Sequence, residues 1–274
     1  MRERPQGPPI TRAGEPFATQ HRARFGSLPD LSSLPRVRAS DALLDQARKQ
    51  WAHRALTEFR SVQIMTRFLE ELLGAAEPLD VYAGAVDMIQ EELRHAELCA
   101  AVCEALGGTP RYPHPARLAD SAAFLDTAYR DRALVTAVTM LAINETISVA
   151  YITDLAERCT QPAIATVLRE IIADEATHDA YGWSYIRRAV PLASERLQRE
   201  LPTLLKATIA PHDAMADRVL EQVPPERRAL EAWPDPDEIE LGLFSQPRQA
   251  LVYLRARDEL LLPALARHGL VPAA

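Results

Sequence analysis

Two tetrads in this chain, Glu92-Leu-Arg-His95 and Glu175-Ala-Thr-His178, share the spacing Glu-x-x-His. At i and i+3 on a helix the two side chains leave the same face, so each tetrad presents a carboxylate beside an imidazole. Glu58 precedes the first pair by 34 residues, and Glu145 precedes the second by 30. Carboxylate oxygen and imidazole nitrogen suit divalent metal ions such as iron or manganese. Four carboxylates in one place would be neutralised by two such ions. Without a cation or a proton, each buried carboxylate would cost several kcal/mol or more in lost hydration. A lone Glu-x-x-His carries little weight, because about half of chains this long hold one by chance at average composition. Two of them, each with a glutamate upstream at similar distance, call for a common cause.

That cause is found in the elements that must carry them. From Glu58 to Gly74 is roughly 24 Å of helix, and the return from near Asp80 to Glu92 is roughly 20 Å, at 1.5 Å per residue. An antiparallel hairpin therefore brings Glu58 and Glu92 to one height, and a second hairpin does the same for Glu145 and Glu175. The candidate ligands also lie on the apolar stripes: Met88, Glu92, His95 and Cys99 on one helix; Ile171, Glu175, His178 and Gly182 on another. The expected architecture is all-α, a four-helix bundle whose core holds all six residues in one layer.

The boundaries follow from helix breakers. The first helix runs from about Ser40 to Leu73, where Gly74 can stop it. The second has Pro78 near its first turn and ends before Gly107-Gly108. The third is centred on residues 128–158, after one long connection of about residues 107–128. The fourth starts after Thr160, Gln161 and Pro162 and ends at Pro191. Residues 1–38, rich in proline and arginine, read as an extended arm; 39–190 as the bundle; 191–274 as a C-terminal helical extension packed on it. In that extension Pro202 and Pro211 are expected to break or kink residues 193–222, and Gln249 to His268 forms a last amphipathic helix.

Over 274 residues the net charge is −7 and the pI about 5.6, which argues against nucleic acid as a partner. No run of 18 or more apolar residues occurs, so no membrane helix is expected. The first residues lack the apolar stretch of a secretory signal. Cys99, Cys103 and Cys159 make neither a CxxC pair nor an even set, so they read as reduced thiols of a cytoplasmic protein.

The pattern resembles the di-iron carboxylate proteins of the ferritin-like superfamily, in which two helices each give a Glu and two others each give a Glu-x-x-His. The resemblance covers roughly residues 40–190, and the long link matches the single crossover connection of that fold. It implies Glu58, Glu92, His95, Glu145, Glu175 and His178 as ligands of two iron ions, with manganese or a mixed pair as the alternative. It implies Glu91 and Asp174 as acids that orient the opposing histidines. Arg94 matches the arginine often found inside the motif, whereas Thr177 does not.

Cys99 stands where ribonucleotide reductase small subunits place a radical-forming tyrosine, which argues against that chemistry; the plainer reading is a small core cysteine. Ser148 stands where acyl-carrier-protein desaturases carry a threonine implied in proton delivery, although a hydroxyl bonded to the preceding turn reads equally well. Ile171 occupies the place of the extra histidine of the best-known N-oxygenases.

The reading that follows is an O2-dependent oxidase or oxygenase of a small or acyl organic substrate, with O2 as co-substrate. No flavin, nicotinamide or iron–sulfur fingerprint is present, so electrons would come from an external reductase or ferredoxin. A homodimer fits this class. The extra C-terminal helices would cover the site, His212 among them, while the small residues Ala96, Ala142 and Gly182 would leave room for substrate. The rival reading is a ferroxidase or iron-binding protein without an organic substrate, which usually has little chain beyond the bundle. A third is a domain whose metal is structural only.

Overall fold

The computed structural model describes residues 7–34, 37–115, 118 and 120–273. The opening residues MRERPQ, and Pro35 of the arm, lie outside these. Among the described residues every regular element is helical, with one isolated antiparallel bridge between Pro9 and Arg111. In chain order the α-helices are α1 (Phe17–Phe25), α2 (Asp41–Gly74), α3 (Leu79–Ala105), α4 (Ala122–Leu125), α5 (Tyr129–Thr136), α6 (Glu145–Arg158), α7 (Pro162–Ala189), α8 (Glu195–Leu220), α9 (Pro236–Glu240), α10 (Gln246–Ala256) and α11 (Leu262–Arg267). A π-helical stretch, Ala137–Asn144, joins α5 to α6.

The helix limits have local causes. Ser40 caps α2 by accepting a hydrogen bond from the Leu43 amide at 3.2 Å. Gln161 caps α7 through its side-chain oxygen, which accepts from the amides of Ala163 and Ile164. The end of α2 differs from the expectation that Gly74 stops it. Gly74 is its last helical residue, and the left-handed residue of the turn is Ala76, with φ of 52°. Glycine is needed at 74 for another reason: a Cβ there would lie 2.3 Å from the ring of Tyr129, where α5 begins.

α2 packs along α3, and α6 along α7, with the π stretch also against α7. At that last contact a Cβ on Gly182 would meet the Leu141 carbonyl oxygen at 2.6 Å. Gly182 therefore lets two helices approach closely, rather than opening space for a substrate. The continuous helix Tyr129–Arg158 is long and apolar enough to cross a membrane, but most of its apolar stretch is buried inside the protein. The expectation from uninterrupted apolar runs misses such a helix, because its charged and polar residues are spread among apolar ones.

Buried apolar side chains fall into two clusters. One centres on Met65, Phe68, Leu134, Leu141 and Tyr185; the other on Trp51, Ala55, Leu98, Leu155 and Leu168. On α2, α3 and α7 the candidate ligands occupy the interval between them. Several kcal/mol of apolar burial on either side, at roughly 25 cal/mol per Å², hold that polar layer in place.

Two expectations for the flanks are corrected. The segment read as an extended arm contains helix α1, none of whose residues is buried. It rests on local bonds: the Glu15 carboxylate accepts from the amide and hydroxyl of Thr19 and from Arg22. Arg12 reaches Glu104 on α3, and the Ile10 amide donates to the Pro110 carbonyl. Pro202 and Pro211, expected to break or kink the segment, lie inside α8, which runs from Glu195 to Leu220 without a break. A proline in a helix interior costs about 3 kcal/mol. The six buried side chains of that face, among them Leu197, Leu201, Leu205 and Ile209, each return about 1.5–3 kcal/mol if large, and outweigh it.

One polar residue of the apolar region titrates in a way that stability can report. Glu71 is 2% exposed, and its Oε1 lies 3.3 Å from Arg67 Nε in an ion pair that lacks hydrogen-bond geometry. Burial pushes its carboxyl up from 4.5 to about 7, against the pull of Thr136 and Arg67. The fold favours the neutral acid, so this contribution is intact below about 4.5 and is lost as pH rises through about 7. The loss comes to about 3 kcal/mol. Glu71→Gln is therefore expected to stabilise the protein by up to that amount at mildly alkaline pH and to change little near pH 4.5. Denaturant titrations at both pH values test it; an equal effect at both would contradict the assignment.

Candidate metal centre

Glu92, Glu145, Glu175, His95 and His178 are buried, the two histidines completely. Glu58 is partly buried beside them. Ligand atoms of Glu58, Glu92, His95 and Glu175 lie within 4.8 Å of one another, and so do those of Glu92, Glu145, Glu175 and His178. The two groups share Glu92 and Glu175. All six residues expected from the sequence thus converge, one group extending to Glu58 on α2 and the other to Glu145 on α6.

The imidazoles have a definite orientation. Nδ1 of His178 lies 3.0 Å from Glu175 Oε2 and 3.6 Å from Glu92 Oε1. Nδ1 of His95 lies 3.4 Å from Glu175 Oε1 and 3.9 Å from Glu92 Oε2. Each Nε2 points the other way, His178 to Glu91 Oε2 at 2.8 Å and His95 to Asp174 Oδ2 at 3.1 Å. Glu91 and Asp174 each precede a cluster glutamate and reach the histidine of the opposite helix. An acid on Nε2 fixes the ring and leaves Nδ1 to face the cluster.

The electrostatics are those of carboxylates crowded together out of water. Burial, then Glu175 and Glu58, drives the carboxyls of Glu92 and Glu145 well above the usual range, and burial also raises Glu58. Glu175 goes the other way: burial opposes ionisation, but the hydrogen bond with His178 and the nearby His95 imidazole outweigh it. The histidines are correspondingly raised against the effect of burial, His95 by Asp174 and Glu175, His178 by Glu175. Glu92 Oε2 and His95 Nδ1 are buried with no hydrogen-bond partner. Native interiors seldom leave such atoms unsatisfied. The donor set, its burial and these two atoms fit metal ions, and the cluster can hold them.

A cavity of about 500 Å³ adjoins the cluster, and Glu58, Glu92, Glu145 and Glu175 form part of its wall. Cys99 and Ser148 line it too. Burial, then Glu58, pushes the Cys99 thiol well up, so it is neutral. The Ser148 hydroxyl makes no hydrogen bond to the turn before it among the described residues. His212 of α8 and Phe244 and Gln249 from the end of the chain complete the wall. Ala142 and Ala96 do not face this cavity: Ala142 is in the core, and Ala96 lines a separate hollow under the arm. All three cysteines are free and buried. Arg94 bonds to Glu170, Glu97 and the Ser27 carbonyl, whereas Thr177 donates to its own helix at Asp174.

Three features were missed in the sequence. The π stretch ends at Asn144, just before Glu145, and such widened turns recur at functional sites. Arg54 and Tyr151 line the cavity, each with a buried polar atom lacking a partner. For Arg54 a signal existed, since it stands three residues after Trp51 and four before Glu58 on one stripe. No protein-family model matches the chain, and a search of curated proteins returns no match.

Proposed function

We propose that this protein is a di-iron oxidase or oxygenase built on a ferritin-like four-helix bundle, with manganese as the alternative metal. The observation that carries the reading is a pair of Glu/His groups sharing Glu92 and Glu175 beside a cavity with room for an organic molecule. Glu58 and His95 would hold one ion, Glu145 and His178 the other, with Glu92 and Glu175 common to both. A bound iron pair supplies the electrons for O2 reduction and the oxidising power for attack on carbon or nitrogen. Glu91 and Asp174 hold the imidazole rings, and the apolar wall of the cavity excludes water. Ser148 is assigned to proton delivery, because its hydroxyl lines the cavity one turn after Glu145. Electrons would be returned by a separate reductase or ferredoxin. The cavity favours this reading over a ferroxidase, which needs no place for an organic molecule.

The test is anaerobic loading with ferrous iron, a metal count, and then admission of O2. About two irons per chain with O2 uptake is the expected result. Iron without O2 uptake would exclude the oxidase and leave a metal-binding protein. Ser148→Ala should slow O2 uptake about tenfold or more at unchanged iron content; an unaltered rate removes its assigned role.

A further inference from the structure

Buried arginines in this protein are generally well supplied with acceptors. Arg94 bonds two carboxylates and a carbonyl, and Arg248 bonds Asp154 and two carbonyls. Arg54 is different. It lies on α2 one turn before Glu58, and its guanidinium carbon sits 4.5 Å from the centre of the Trp51 ring. Its Nη1 is buried without a hydrogen-bond partner, and no carboxylate of the described residues comes within ion-pairing distance of it. Trp51 is itself fixed, its indole N–H donating to the Leu241 carbonyl at 2.9 Å. The loop beyond, at Gly242, closes over both: a Cβ there would be 2.9 Å from Trp51 and 3.7 Å from Arg54 Nη1. The guanidinium is therefore held in place, yet one of its nitrogens has nothing to donate to.

A second donor lines the same cavity in the same condition. The Tyr151 hydroxyl is buried and unpartnered, and its ring is held edge-on by Phe244 at 5.9 Å. A guanidinium has only donors, so the ligand group that suits it is an acceptor, and beside a cation an anionic one. The rest of the lining includes Ile64, Met140, Ile152, Met215 and Phe244, which suit an apolar body. The cluster glutamates form another part of the wall, and the second arginine there, Arg60, donates to the His114 carbonyl, so Arg54 beside them matches a monoanion better than a doubly charged phosphate.

We propose that Arg54, with Tyr151, anchors a carboxylate on the substrate, so that the substrate is an organic acid with an apolar body. This rests on the oxidase reading for the word substrate, but the binding itself can be measured without turnover. The guanidinium offers a planar pair of N–H donors to the two carboxylate oxygens, and Trp51 behind it keeps the fork from turning away.

The full-length protein, both metal-free and loaded with zinc, is titrated calorimetrically with benzoate and octanoate, and with benzamide and octanamide. In the wild type at least one carboxylate should bind about tenfold or more tighter than its amide. Arg54→Gln should abolish that preference, and Arg54→Lys, which keeps the charge and loses the fork, should keep a reduced one. Tyr151→Phe should weaken the carboxylate severalfold and leave the amide alone. Zinc content and thermal midpoint of each variant report whether the cluster is intact. Equal affinity for acid and amide in the wild type, or no saturable binding of either acid, overturns the proposal. So does full carboxylate affinity in a folded Arg54→Gln, which would place the anion on the metal ions instead. The two readings fail separately: two ions per chain with no acid preference leaves the oxidase and removes the anchor, whereas an Arg54-dependent acid preference without metal uptake does the reverse.

Discussion

Alanine at Glu92 or Glu175 is expected to abolish metal binding at both halves of the cluster, whereas alanine at Glu58 or Glu145 should remove one ion and leave the other. The difference follows from membership: Glu92 and Glu175 belong to both groups, Glu58 and Glu145 to one each. Losing a shared carboxylate takes a negative charge and an oxygen from both ions at once. The remaining donors, two carboxylates and an imidazole at most per ion, are too few for tight binding. Metal analysis after equilibration should fall from about two ions per chain to near zero for the shared positions, and to about one for the others. Because burial and the neighbouring carboxylates favour the protonated forms of Glu92 and Glu145, loading should also release acid. If all four variants lost metal equally, the two groups would not be separable sites.

The second large effect lies away from the cluster. Asp154 on α6 accepts from Arg248 Nε at 2.9 Å and Nη2 at 2.5 Å, and from Arg158 Nε at 3.0 Å. Arg248 in turn donates to the carbonyls of Leu230 and Trp233, each at 2.9 Å. This knot ties α10 and the segment before it to the helix that carries Glu145. Asp154→Ala leaves the guanidinium of Arg248, only 8% exposed, without its carboxylate. Breaking a buried pair from one side costs about 3–5 kcal/mol. The carbonyl partners keep Arg248 partly satisfied, so the lower figure, about 3 kcal/mol, is expected in denaturant unfolding. The double variant Asp154→Ala with Arg248→Met should recover part of it, since no charge is then stranded. A cost below about 1 kcal/mol would mean that the pair is as weak as one at the surface.

What was legible in the sequence is what helix geometry sets locally. The rise per residue and the i, i+3 rule turn two Glu-x-x-His tetrads and two upstream glutamates into one layer, and the structure brings those six residues together. Helix limits at Ser40, Pro78 and Pro162 follow from capping and from the missing proline amide. The failures are tertiary. Pro202 and Pro211 stay in α8 because a buried face outweighs them, and no local rule weighs that face. Gly182 reads as empty space until Leu141 is found against it. Arg54 reads as an ordinary charged residue of a helix, because its lack of a partner depends on a loop nearly 190 residues later, at Gly242.

That distance along the chain has an evolutionary consequence. The cluster comes from residues 58–178, whereas His212, Met215, Phe244 and Gln249 supply another part of the cavity wall. The cluster thus lies within one stretch that also supplies most of the cavity wall, while a smaller part of that wall is encoded well downstream. Drift, insertion or grafting in the last third of the chain can reshape what fits without disturbing a single cluster residue. The same cluster can therefore be inherited intact while the shape of the cavity beside it changes.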